Sequence, residues 1–185
     1  MGKIIFVTGG ARSGKSRFAE NILENKKKVL YIATAIAFDD EMKERIRLHR
    51  QQRNSTWKTL EAYRDFENIL PRALKGMSAV MLDCITVMLT NIMLADHTIN
   101  WDNISPAQAA GVENEIMKEA GQLMKILADY EGEAVIVSNE LGMGLVPPTP
   151  MGRYFRDTAG RVNQMIAAQA DEVYLAVSGI PVKVK

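Results

Sequence analysis

Residues 4–16 read IIFVTGGARSGKS, and this stretch decides the fold. Its first part is an apolar run of the kind that forms a strand buried on both faces. From Gly9 to Ser16 it fits G-x-x-x-x-G-K-[ST], the phosphate-binding P-loop that joins a strand to a helix. The glycines let the backbone turn tightly, so that several N–H groups point at one anion. The helix that follows directs the positive end of its dipole at the same spot. Lys15 would reach the β- and γ-phosphates, and the Ser16 hydroxyl would hold Mg²⁺. Phe18, Ala19, Ile22 and Leu23 have helical spacing and predict a helix over 15–25. The bland alternative is an ordinary glycine turn between strand and helix.

Outward from this stretch, the chain keeps one pattern. Apolar runs at 3–8, 28–33, 79–83, 133–138 and 172–177 show little polar alternation, as expected of parallel strands covered on both faces. Helical patterns lie between them. Asp39 and Asp40 open a charged helix running to about 53. Ser105, Pro106 and Gln108 read as an N-cap, a first-turn proline and a capping-box partner. Val112, Ile116, Ala120, Leu123 and Leu127 then make one apolar stripe. A last helix is expected over 151–170, with Phe155, Ala159, Val162 and Ile166 inward. Residues 180–185, IPVKVK, read as an edge strand, because Pro and Lys guard sheet edges. The fold expected is α/β, a single catalytic domain over 1–185 with a mostly parallel sheet flanked by helices, of the P-loop NTPase (RecA-like) type. Ligands bind such sheets at the carboxyl ends of the strands.

The chain's 185 residues suffice for one full core, and a net charge of +1 gives no strong field toward nucleic acid or an anionic membrane. No apolar run reaches transmembrane length, and no signal peptide is read before the first strand. One cysteine, Cys84, excludes an internal disulfide and suits a reducing cytoplasm. Its apolar neighbourhood reads as core filling rather than a nucleophile.

Four further constellations carry chemistry. Val80-Met81-Leu82-Asp83 is an apolar strand ending in a carboxylate. Placed beside the first strand, Asp83 would orient Mg²⁺ near Ser16; otherwise it is an N-cap for the next helix. Arg45, His49 and Arg53 share a helix face. Neighbouring cations favour a neutral, nucleophilic imidazole at His49, while from the spacing alone a solvated face is the stronger reading. Asn139 and Glu140 end a strand and open a glycine loop, either facing the phosphates or only making a turn. Gly160 inside the last helix costs about 1 kcal/mol, which asks for close packing or a closely approaching ligand. Arg153, Arg156 and Arg161 stay undecided, and His97 reads as surface.

Taken together, GGARSGKS, YIATA at 31–35, DDEMKERIRLHRQQR at 39–53, LDCIT at 82–86, SNELGMGLVP at 138–147 and FRDTAGRVNQ at 155–164 resemble the bifunctional adenosylcobinamide kinase / adenosylcobinamide-phosphate guanylyltransferase family of cobalamin biosynthesis. The resemblance implies two reactions: phosphorylation of the aminopropanol hydroxyl of adenosylcobinamide by ATP or GTP, then transfer of GMP from GTP through a GMP-histidine intermediate. It places the nucleophile on His49 and a catalytic role on Lys15. It places nucleotide contacts on Gly9, Gly10, Ala11, Arg12, Ser13, Gly14, Lys15 and Ser16, on Ala33, Thr34 and Ala35, on Arg50, Gln51, Gln52 and Arg53, and on Glu61 and Asp83. Ser16 and Asp83 are the implied Mg²⁺ residues, and a cytoplasmic homo-oligomer, a trimer, is the implied assembly. The segment 95–110 matches nothing in the family pattern. Two other readings remain at this point: a simple P-loop small-molecule kinase, which would leave His49 dispensable, and a nucleotide-dependent switch, for which no [NT]-K-x-D element is present.

Overall fold

The computed structural model describes residues 2–36, 54 and 56–185. The helix expected over 39–53, with His49, Arg50, Gln51, Gln52 and Arg53, lies outside the described residues. Among the described residues, one sheet contains β1 Lys3–Gly9, β2 Val29–Ala33, β3 Lys58–Glu61, β4 Ala79–Asp83, β5 Glu133–Asn139, β6 Glu172–Val177 and β7 Ile180–Lys183. The strand order is β3-β2-β4-β5-β1-β6-β7. Every neighbouring pair is parallel except β6 with β7. The helices described are α1 Lys15–Ile22, α2 Phe66–Ala73, α3 Ile85–Met93, α4 Pro106–Asp129 and α5 Pro150–Gln169. None of them is long and apolar enough to cross a membrane.

The continuous apolar runs have the reason expected of them, because both faces of the central strands are covered. On one face Ile5, Val7, Tyr31, Met81 and Val137 pack with Ala19 and Leu23 of α1 and its flank. On the other, Phe6, Leu30, Ile32, Leu82 and Ile136 pack under α2 to α5. Ser105 and Gln108 form the capping box anticipated for α4, and Ile116, Ala120, Leu123 and Leu127 are its buried stripe. Ala159, Val162 and Ile166 of α5 are buried, while Phe155 is partly so. α5 begins at Pro150, behind Thr149, whose hydroxyl accepts from Gly152 N–H. The edge strand is present as β7, antiparallel to β6.

One placement differs from expectation. β4 does not lie beside β1; β5 lies between them, pairing with β1 from Lys3↔Glu133 to Gly9↔Asn139 and with β4 from Ala79↔Glu133 to Asp83↔Val137. Residues Ala134 to Ser138 of β5 are buried throughout, so this strand takes a central position that the spacing of motifs along the chain does not reveal.

Candidate active site

The site lies along the carboxyl ends of β1, β5, β4 and β2. The P-loop leaves β1 at Gly9, where a Cβ would meet Ala176 O at 2.5 Å and Ser13 Oγ at 2.6 Å, so no larger residue fits. Gly14, at φ 87°, caps α1 in the left-handed region that glycine enters without cost. Ser13 N–H donates to Gly10 O at 3.3 Å and closes the turn. Lys15 is buried, and its Nζ donates to Gly10 O at 3.1 Å, which holds the ammonium over the loop. Ser16 is half-buried at the second residue of α1. The loop also has a support that sequence reasoning missed. Gly179, in the turn joining β6 to β7, donates its N–H to Ser13 O at 2.9 Å, and a Cβ on Gly14 would meet Gly179 Cα at 3.1 Å. The signal available was a Ser-Gly pair between two apolar runs, a turn with no stated neighbour.

Asp83 ends β4, partly buried, and the Tyr31 hydroxyl donates to its Oδ2 at 3.0 Å. The N-cap of α3 is Cys84, with no side-chain cap bond, so Asp83 does not serve as the cap. Tyr31 was visible in YIATA without a role. Strand alternation puts it on the α1 face, where it also approaches Trp57 at 6.5 Å between ring centroids. Thr34 is buried and ties the strand tips together. Its Oγ1 donates to Cys84 O at 2.8 Å and accepts from Cys84 N–H at 2.9 Å; its N–H donates to Asp83 O at 3.3 Å, and its own carbonyl accepts from Asn91 Nδ2 at 2.6 Å. Ala33 and Ala35 flank this knot, and Glu61 ends β3 at the sheet margin, in register with Ala33. Burial, and then the neighbouring Asp83, push the Cys84 thiol up, so it stays protonated core, as its surroundings implied.

Asn139 lies between the two anchor strands, paired in register with Gly9, and its Nδ2 donates to Thr86 Oγ1 at 2.6 Å. Asn163 Nδ2 donates to Asn139 O at 3.1 Å, and Ser138 Oγ donates to Asn163 Oδ1 at 2.7 Å. The loop beyond β5 is tied back by Glu140 N–H to Gly9 O at 3.0 Å, while the Glu140 carboxylate accepts from Gly142 N–H. Gly160 is not forced by packing: a Cβ there would meet nothing within 4 Å. That removes close packing as its reason. Arg153 is used on the carbonyls of Pro147 and Pro148, Arg156 pairs with Asp157 at 2.9 Å, and Arg161 pairs with Glu113.

Mg²⁺ is usually bound by one or two carboxylates or hydroxyls plus substrate phosphates rather than by an all-protein cage. Ser16 on α1 and Asp83 at the tip of β4 would be such a donor set, and the described residues contain no cluster of three acidic, His or Cys ligands that would bind a metal by itself.

A loop of this shape serves many phosphate chemistries, so the comparisons decide the family. The family model for cobinamide kinase / cobinamide phosphate guanyltransferase matches residues 5–184. The chain belongs to that family. It is 44% identical over 186 residues to the bifunctional adenosylcobalamin biosynthesis protein CobU of Salmonella typhimurium, covering 98% of this chain and 99% of the relative. The Escherichia coli protein of the same name is 42% identical with the same coverage. A Pseudomonas aeruginosa relative, the bifunctional adenosylcobalamin biosynthesis protein CobP, is 37% identical, over 97% of this chain and 95% of its own. Among solved structures, a KaiC-like protein from Pyrococcus horikoshii aligns with TM-score 0.51 at 13% identity, covering 94% of this chain and 70% of that one. That likeness shows the fold alone, a RecA-like sheet.

Proposed function

We propose that this protein phosphorylates adenosylcobinamide and then converts the phosphate to adenosylcobinamide-GDP, with pyrophosphate as second product. One observation carries the reading: a fully built P-loop at the carboxyl edge of a parallel sheet, in a chain matched to the kinase and guanyltransferase family from residue 5 to residue 184.

In the kinase step the aminopropanol oxygen attacks the γ-phosphorus of ATP or GTP. The bond from that phosphorus to the β–γ bridging oxygen breaks, the nucleoside diphosphate leaves, and the hydroxyl proton passes to water. There is little covalent work for the protein, so positioning and charge neutralisation do most of it. Backbone N–H groups of Gly10 to Ser16 cradle the phosphates, and Lys15, already held over the loop, meets the charge on the leaving oxygen. Ser16 and Asp83 would hold Mg²⁺, which would supply Lewis-acid neutralisation of the phosphates. Tyr31 keeps the Asp83 carboxylate oriented toward that position. With every polar group of Thr34 used inside the protein, the 33–35 segment contributes through its shape and its fixed position beside Asp83.

In the second step the His49 imidazole attacks the α-phosphorus of GTP, a P–N bond forms, and pyrophosphate leaves. An oxygen of adenosylcobinamide phosphate then displaces the imidazole. Arg50, Gln51, Gln52, Arg53 and Glu61 are the further nucleotide contacts in this reading. A cytoplasmic location fits the single, buried thiol. A homo-oligomer, as a trimer, fits the exposed Val177, Ile180 and Val182 on the β6–β7 edge.

The test is intact-mass and peptide mass spectrometry after incubation with GTP and Mg²⁺. We expect one added GMP, on the peptide containing His49, through an acid-labile and base-stable bond. His49→Ala should lose the adduct and retain phosphorylation of adenosylcobinamide. Absence of the adduct from active wild-type protein would reduce the assignment to a plain kinase.

A further inference from the structure

On the sheet face opposite α1, a cavity of about 560 Å³ opens between the carboxyl half of β1 and helix α5. It is within the usual size of a small-molecule site. Its floor is apolar, with Phe6 and Val173 side by side on β1 and β6. Its wall is one stripe of α5, with Arg156, Gly160, Asn163 and Gln164 at successive turns. The mechanism derived above uses none of this wall.

Three observations say what the cavity takes. First, Gly160 sits in mid-helix, at a cost of about 1 kcal/mol relative to alanine, with open space where a Cβ would be. The missing side chain therefore serves the cavity and not the packing of the helix. Second, Thr8 lines the cavity, and its Oγ1 is buried without a hydrogen-bond partner. A polar ligand atom at the end of β1 would supply that partner. Third, the charges on the wall are balanced. Arg156 is paired with Asp157, Arg161 with Glu113, and the Glu140 carboxylate is held by Gly142 N–H. A phosphate would want an unpaired guanidinium pair; a neutral ligand bearing both donors and acceptors fits this lining.

We infer that this cavity seats the carboxamide-bearing edge of the corrinoid acceptor. The inference rests on the family reading above, which makes that acceptor the substrate. Primary carboxamides donate to carboxylates and accept from amide and hydroxyl hydrogens, and the apolar floor takes the macrocycle edge between them. The location suits delivery. Thr8 lines the cavity and Gly9, the next residue, opens the P-loop, while Glu140 N–H binds Gly9 O. An acceptor held by its periphery here extends its aminopropanol arm over the end of β1 toward Lys15.

The experiment fills the cavity without touching the nucleotide side. Gly160→Leu places a side chain in open space and Gln164→Phe places one at the exposed rim; each is compared with Gly160→Ala. Kinase KM for adenosylcobinamide, dicyanocobinamide binding by absorbance titration, GTP binding and GMP loading are measured on the full chain. We expect KM and the corrinoid Kd to rise about tenfold or more in Gly160→Leu and Gln164→Phe, with kcat, GTP affinity and GMP loading within about twofold of wild type. Gly160→Ala should keep most corrinoid affinity and melt at a higher temperature. Unchanged corrinoid KM and Kd in both filling variants would overturn the seat while leaving the enzyme assignment intact. A change in kcat alone would overturn it too. A wild-type protein that neither binds nor phosphorylates the corrinoid would overturn both readings.

Discussion

The Thr34 hydroxyl engages the backbone of one residue twice, donating to Cys84 O and accepting from Cys84 N–H across the gap between two strand tips. Both atoms of Cys84 are buried there, away from water. Thr34→Val keeps the shape of the side chain and strands the Cys84 N–H, while Cys84 O keeps its bond from Met88 N–H at 3.1 Å. Leaving a buried polar group unsatisfied costs about 1–3 kcal/mol. Denaturant unfolding should therefore show Thr34→Val less stable by an amount in that range, with Thr34→Ser recovering much of the loss. A variant as stable as wild type would mean that the knot does not matter. At this scale the sequence is legible only in part. Lys15 and Ser16 declare themselves through a fixed motif. Asp83 was ambiguous until the structure gave the cap position to Cys84 and a Tyr31 hydrogen bond to the carboxylate. Thr34 and Tyr31 work through partners fifty or more positions away in the chain, and no local pattern encodes such a pairing.

Among the elements, the long and apolar ones were readable and the short polar ones were not. β1, β2, β4, β5 and β6 are runs of branched apolar residues, and α4 has both a capping box and a stripe. β3 is Lys-Thr-Leu-Glu, largely exposed at the sheet margin, and carries no strand signature beyond its neighbours. α2 has Pro71 inside it, which reads as a breaker, yet Phe66 and Leu70 bury one face of it. Strand order was hidden for a related reason, since buried parallel strands look alike in sequence. The junction of β1, β6 and β7 also carries a pH signature. Glu172 on β6 meets Lys3 of β1 and Lys183 of β7, each at 3.0 Å, and the Tyr174 hydroxyl at 2.9 Å. Lys3 first, then Lys183 and Tyr174, hold its carboxyl down to about 2. A lowered carboxyl pKa contributes stability that is fully present above the ordinary value of about 4.3 and is lost as pH falls toward 2. Glu172→Gln should therefore melt below wild type at pH 6, and the gap should close between pH 4 and pH 2. Thermal melts across that range check it; a gap independent of pH would show that the charge cluster contributes nothing.

For the whole molecule, the site is a composite of the ends of four strands with the front of α1, so nucleotide binding and folding are coupled. A ligand that binds only the folded state stabilises by about 2.7 kcal/mol at a hundred times its Kd. For a chain of this size that corresponds to a rise in Tm of roughly 5–11 °C. We expect GTP with Mg²⁺ to produce a shift of that order in differential scanning fluorimetry, most of it lost on adding EDTA or in Lys15→Ala. An equal shift in the Lys15→Ala protein would place the nucleotide elsewhere. The family and both reactions were legible because six motifs spread from end to end agree with one pattern, whereas the cavity on the far face was not. It is formed by residues from β1, the loop after β5, α5 and β6, and only Gly160 hinted at it.

The turn between β6 and β7 has a practical consequence. Gly179 stands behind the P-loop and clasps it at Ser13, so the last strand acts as a buttress for a loop made at the opposite end of the polypeptide. Tails of enzymes are commonly clipped or fused to affinity handles on the assumption that they are idle. In this one, pruning the final hairpin takes away the backrest of the triphosphate cradle, and catalysis would suffer from an edit made nowhere near its motif.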